Sequence, residues 1–203
     1  MGIRPLINWY YYPSLRISVT QTEERAFRSA LLYFEVYLNG LVTQWNRLVE
    51  EREYNDELMM QKDLMKDIEA GRAFSQIGDR IQLDLHFYLI CWDKINKYSN
   101  VLSKHTKNQR IVEICKKIAS FTGKATLARH YFEHLDEAVD KGREVYSRGW
   151  SSSTGGSMVF RYSDMSKRGK KTQRKIYLGI REVESIMKAY EDILKSLGAN
   201  TIE

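Results

Sequence analysis

Pro5 and Pro13 are the only prolines in the chain, so residues 14–203 lack the residue that most strongly stops a helix. A proline-free run of that length is a helical signature, and the apolar pattern agrees. From Thr20, EERAFRSALLYFEVYLNGLVTQWNRLVEERE repeats apolar residues at three- and four-residue spacing, with Glu23 and Glu24 in the first turn, where they favour the helix dipole. A shorter helix is predicted through NDELMMQKDLMKDIEAG, ending at Gly71. Asp79 then caps RIQLDLHFYLICWDKINKYSNVLSKH, whose nearly all-round apolarity marks a central, buried helix. Asn108 caps NQRIVEICKKIASF, and Thr122 opens TGKATLARHYFEHLDEAVDKGREVYS. A last amphipathic helix, IREVESIMKAYEDILKSLG, closes at Gly198.

The texture changes at SRGWSSSTGGSMVFRYSDMSKRGKKTQRKIYLG. Gly and Ser cluster there, and MVFRY and KIYL read as short strands flanking a basic turn. The expected fold class is therefore all-α: an antiparallel helical bundle of about five to six helices, with a small β-hairpin before the last helix. The chain reads as a single domain over residues 1–203, with an N-terminal arm at 1–19 and the hairpin insertion at 151–179. No internal repeat breaks it.

A length of 203 residues is enough to bury a core without a metal or disulfide to hold it. Cys91 and Cys115 lie in apolar helical patterns with no CxxC pairing, which reads as two buried free thiols in a reducing cytoplasm. The opening MGIRPLINWYYY has no long apolar h-region. The most apolar stretch, SALLYFEVYLNGLV, is interrupted by Glu35 and Asn39 and is too short to span a bilayer. A soluble cytoplasmic protein is expected, with no membrane partner. The net charge of +6 tilts the expected partners toward nucleic acid. Neither a G-x-x-x-x-G-K-[ST] phosphate loop nor a G-x-S-x-G nucleophile elbow occurs, and no cofactor or metal is expected.

The densest chemistry lies in RHYFEH, Arg129 to His134. At about 100° per residue, Ala128, Tyr131, Phe132, Leu135, Ala138 and Val139 form one apolar stripe, with Arg129, His130, Glu133 and Glu137 opposite and His134 at the margin. The plain reading is a solvated charged face. A metal reading also exists, because HYFEH fits H-x-x-E-H, the inverted zinc-protease motif, with His130 and His134 one turn apart. A zinc hydrolase of that kind needs a third ligand, and Glu182, Glu184 and Glu191 are the downstream candidates, without a supporting motif.

Arg129-His130-x-x-x-His134 resembles the signature of the HEPN superfamily, an arginine, four to six residues and a histidine, with a polar residue directly after the arginine. The bundle over residues 20–197 matches loosely; the specific match is these six residues. A second pairing, Arg80 and His86 in RIQLDLH, has Ile81 after its arginine and sets His86 among Leu83, Leu85, Phe87 and Tyr88, where a core histidine is the expectation. The resemblance implies a metal-independent endoribonuclease acting at a homodimer interface, with RNA as substrate and an antitoxin protein as a further partner. Its catalytic set would be Arg129 and His134, with His130 and Glu133 lining the same cleft.

The chemistry explains the residue types. Attack on a phosphate by the neighbouring 2′-hydroxyl needs a group that titrates near neutrality to move protons, here His134. It also needs a fixed cation for the developing charge, which the forked guanidinium of Arg129 supplies. Glu133 can orient an imidazole or raise its pKa. Nearby, KRGKKTQRK places Lys167, Arg168, Lys170, Lys171, Arg174 and Lys175 at the tip of the expected hairpin, where they can touch phosphates or simply be solvated. NWYYY, Trp9 to Tyr12, can stack bases or pack the arm onto the bundle. The reading from another class is a non-catalytic helical module that binds nucleic acid or a protein through the same face.

Overall fold

The computed structural model describes residues 20–60, 68–133, 151–153, 157–165, 171–177 and 179–198. The fold is helical, with α1 at Gln21–Met59, α2 at Ile68–Lys104, α3 at Gln109–Glu133 and α4 at Ile180–Ser196. Among the described residues there are thus four helices, the first three longer than the segments expected. The N-terminal arm and the tip residues Lys167, Arg168 and Lys170 fall outside the described residues, as does the chain from His134 to Trp150.

α1 and α3 begin on side-chain caps. Thr20 and Glu23 form a capping box: the Thr20 N–H donates to Glu23 Oε2 at 3.0 Å and the Glu23 N–H returns to Thr20 Oγ1 at 3.4 Å. The Thr20 hydrogen bonds hold the Glu23 carboxyl below its usual range. Asn108 caps α3 as its sequence suggests, accepting from the Arg110 N–H at 3.1 Å, while its amide donates to Ser196 O at 3.3 Å and ties the start of α3 to the end of α4. Gly198, at φ +78, takes the left-handed conformation that stops α4.

The expected breaks at Gly71, Asp79 and Thr122 do not occur. Thr122 is buried in mid-helix, where its hydroxyl bonds to Ile118 O at 3.0 Å and reaches across to Asn96 Oδ1 at 2.9 Å. A good capping residue need not cap when its side chain finds another partner.

α1 packs on α2, α2 on α3, α3 on α4, and α4 back on α1, so the helices close a ring around one core. Asn96 meets Thr122 and Asp93 meets Thr126, so α2 and α3 run antiparallel across the short connection at 105–108. The centre is aromatic. Trp92, Tyr88, Phe27 and Phe34 are fully buried, and Phe34 stacks on Tyr190 of α4 at 5.4 Å between centroids. Cys91 and Cys115 are both buried free thiols, and burial pushes each up to about 12.

Between α3 and α4, β1 (Ser151–Ser153), β2 (Ser157–Met165) and β3 (Lys171–Tyr177) pair antiparallel in that order, three strands rather than the two short ones read from MVFRY and KIYL. No helix among the described residues is long and apolar enough to cross a membrane.

Glu35, one of the residues that interrupt the apolar run of α1, is only 3 % exposed and accepts a hydrogen bond from the Tyr190 hydroxyl at 2.9 Å. Burial raises its carboxyl above the usual range, against the opposing pull of that bond. A carboxyl raised in the folded state binds its proton more readily than in the unfolded chain, so its protonation stabilises the fold as pH falls toward the unfolded value of about 4.3. Urea denaturation at pH 8 and pH 5 should therefore show wild type gaining stability relative to Glu35→Gln at the lower pH. Parallel pH profiles for the two proteins would disprove the assignment.

Candidate functional site

The seam between α2 and α3 holds a cluster of polar residues. Asp93 projects from α2 into this seam and is fully buried, at 0 % exposure. Its Oδ1 accepts from Thr126 Oγ1 at 3.0 Å, and its Oδ2 takes both Lys97 Nζ at 3.0 Å and Arg129 Nη1. Burial alone would raise the Asp93 carboxyl. The hydrogen bonds from Lys97 and Thr126, with the charges of Arg129 and Lys97, outweigh it and hold the group below its usual range.

Arg129 is the residue that the structure relocates most. The amphipathic pattern places it on an exposed face opposite the core stripe; its side chain is instead only 13 % exposed. Ala128 does face the core, fully buried, and the next position turns into the α2/α3 seam rather than into solvent. A guanidinium there must be paired, and Asp93 supplies the pairing. Toward the surface, Arg129 Nη2 meets Glu133 Oε2 at 2.8 Å, with the Glu133 side chain 36 % exposed. Arg129 thus spans the seam, one end on a buried carboxylate and the other on a carboxylate at the protein surface.

Glu133 is the last described residue of α3, the His130 side chain is not among those described, and His134 lies outside them. Arg129 and Glu133 are therefore brought together directly. Of the basic segment, Lys171, Arg174 and Lys175 lie on β3, paired with Met165, Tyr162 and Arg161 of β2. Among the described residues no group of three His, Cys, Asp or Glu side chains is placed to hold a metal. Of the downstream acids weighed as zinc ligands, Glu182 accepts the Gly179 N–H at 2.8 Å, an N-terminal contact of α4.

His86 is half-buried rather than a core residue, with its ring 6.2 Å from that of Phe87, which is itself exposed. At helical spacing it shares the α2 stripe of Asp93 and Lys97, seven and eleven residues on. A second polar cluster joins α1 to α2, where Arg47 Nε meets the buried Asp84 at 3.2 Å and Arg80 lies 3.8 Å from Glu51. Arg80, the arginine of the second sequence pairing, is thereby engaged on the α1 side, away from the Asp93 stripe.

Asp93, Lys97 and Thr126 do not emerge from the motif itself. One signal was present: Asp93 interrupts CWDKIN in the most apolar helix of the chain, and a carboxylate there requires a partner. Its i+4 neighbour Lys97 is visible in the sequence; Arg129, 36 residues away, is not.

Compared with known proteins, the chain matches no family model, no curated protein and no solved structure.

Proposed function

We propose that the protein is a HEPN-like, metal-independent endoribonuclease, a helical bundle with a basic hairpin before its last helix, in which Arg129 and His134 form the reactive pair. The observation that carries the reading is the anchoring of Arg129. A phosphate being cleaved needs a cation whose position does not relax as charge develops, and a guanidinium fixed by a fully buried carboxylate has that property. Glu133 stands on the outward side of the same guanidinium, and His130 and His134 flank it in the sequence. The active form is a homodimer, in which two copies of the motif helix supply the second imidazole and guanidinium that one helix presents poorly. RNA is the substrate, and an antitoxin protein is a further partner. The test is cleavage of single-stranded RNA by purified protein in EDTA, with a 2′,3′-cyclic phosphate at the product end.

The ion pair to Asp93 also favours a second reading. An arginine whose charge is met by two carboxylates can serve stability alone, and the protein would then be a non-catalytic helical module that binds RNA or a partner. Tight RNA binding without cleavage separates this from the nuclease.

If RNA binds, the basic segment supplies phosphate contacts. Replacing Lys170, Lys171, Arg174 and Lys175 with glutamine should weaken single-stranded RNA binding and lower the slope of log affinity against log salt by up to about 3, since each neutralised phosphate contributes roughly 0.7. An unchanged slope in a salt titration would assign the segment to solvation.

A further inference from the structure

The side-on edge of a guanidinium presents the Nε and Nη2 donors in parallel, matched to two oxygens of one carboxylate or one phosphate. In Arg129 that edge is half-used. Nη2 binds a single Glu133 oxygen at 2.8 Å, whereas Nε is buried and has no hydrogen-bond partner among the described residues. Nη1 is committed to Asp93 on the other side.

We propose that Glu133 is a displaceable occupant of an anion site on Arg129: a phosphodiester takes its place on the Nε/Nη2 edge, and the Glu133 carboxylate swings to solvent. The inference rests on the nuclease reading for its substrate class and adds how the empty site is masked.

Charge bookkeeping supports it. Arg129 and Lys97 carry two positive charges, Asp93 and Glu133 two negative ones, so the cluster is neutral and offers an incoming anion no net attraction while Glu133 is in place. Its departure leaves the cluster at +1, with an edge fitted to two oxygens. The two acids are not equivalent in this. Asp93 is fully buried and accepts from Thr126, Lys97 and Arg129. Glu133 is the more exposed acid, and among the described residues one ion pair, to Arg129, holds it.

The experiment uses an all-2′-deoxy single-stranded oligonucleotide, which carries phosphodiesters but lacks the attacking hydroxyl, so binding is read without turnover. Glu133→Gln should bind it about fivefold more tightly than wild type, since a neutral amide competes less well for a guanidinium than a carboxylate does. Glu113→Gln, at an exposed position near the other end of α3, makes the same change in net charge and should leave affinity unchanged. Equal affinity of Glu133→Gln and wild type, binding by neither, or an equal gain in both variants overturns the proposal. Tighter binding by Glu133→Gln alone, in a protein that cleaves no RNA, supports it and sinks the nuclease reading instead.

Discussion

Arg129→Ala is expected to lower folding stability by about 3 kcal/mol, the low end of the range for removing one partner of a buried ion pair. The substitution strands Asp93, which has no exposure of its own, and the loss is held to the low end because Lys97 and Thr126 still reach the carboxylate. Asp93→Leu combined with Arg129→Leu should recover most of it, because replacing both charges with apolar groups removes the cost of burying them. The pH dependence follows from the depressed Asp93 carboxyl. Its contribution is fully present above the unfolded value of about 3.9 and is lost as pH falls through the lower folded value, so wild type and Arg129→Ala should converge in acid below about pH 4. Urea denaturation of the three proteins measures this. A loss of under about 0.5 kcal/mol for Arg129→Ala would return the residue to the solvated face that its helical pattern suggests.

That contrast locates the boundary of what the sequence makes legible. Helical periodicity, Thr20 with Glu23, Asn108 and Gly198 all act within a few residues, and the helices begin or end on them. Of the ends that failed, at Gly71, Asp79 and Thr122, the last has a visible cause, a long-range contact that overrides a local preference: Thr122 spends its hydroxyl on Asn96 of another helix. The site divides in the same way. RHYFEH identifies Arg129 and Glu133 as neighbours one turn apart, which they are. Periodicity within α3 distinguishes the core-facing side of a helix from the rest, but it does not say that α2 lies against the flank at Arg129, nor that α2 offers a carboxylate there. The pairing of Glu35 with Tyr190, 155 residues apart, was hidden for the same reason.

The burial of Arg129 changes how catalysis must be tested, and it moves the decisive substitution to His134. An activity lost with Arg129→Ala mixes charge stabilisation with unfolding, whereas removing an imidazole tests proton transfer directly. His134→Ala is expected to reduce cleavage of single-stranded RNA in EDTA by about a hundredfold or more, the usual worth of a positioned general acid or base. Contaminating nuclease is the main confounder, and the remaining histidines provide the control. The chain has four, and His105 lies in the connection between α2 and α3, twelve residues beyond Asp93, so His105→Ala should leave turnover unchanged. His86→Ala should also spare chemistry if His134 is the proton-transfer group; a loss confined to His86→Ala would transfer that role to the α2 stripe that carries Asp93. Melting curves run beside each assay separate a lost group from a lost fold. Cleavage that persists in His134→Ala and in the stability-restored Asp93→Leu/Arg129→Leu protein would exclude the Arg/His chemistry, because neither the imidazole nor the guanidinium would then be needed at the phosphate.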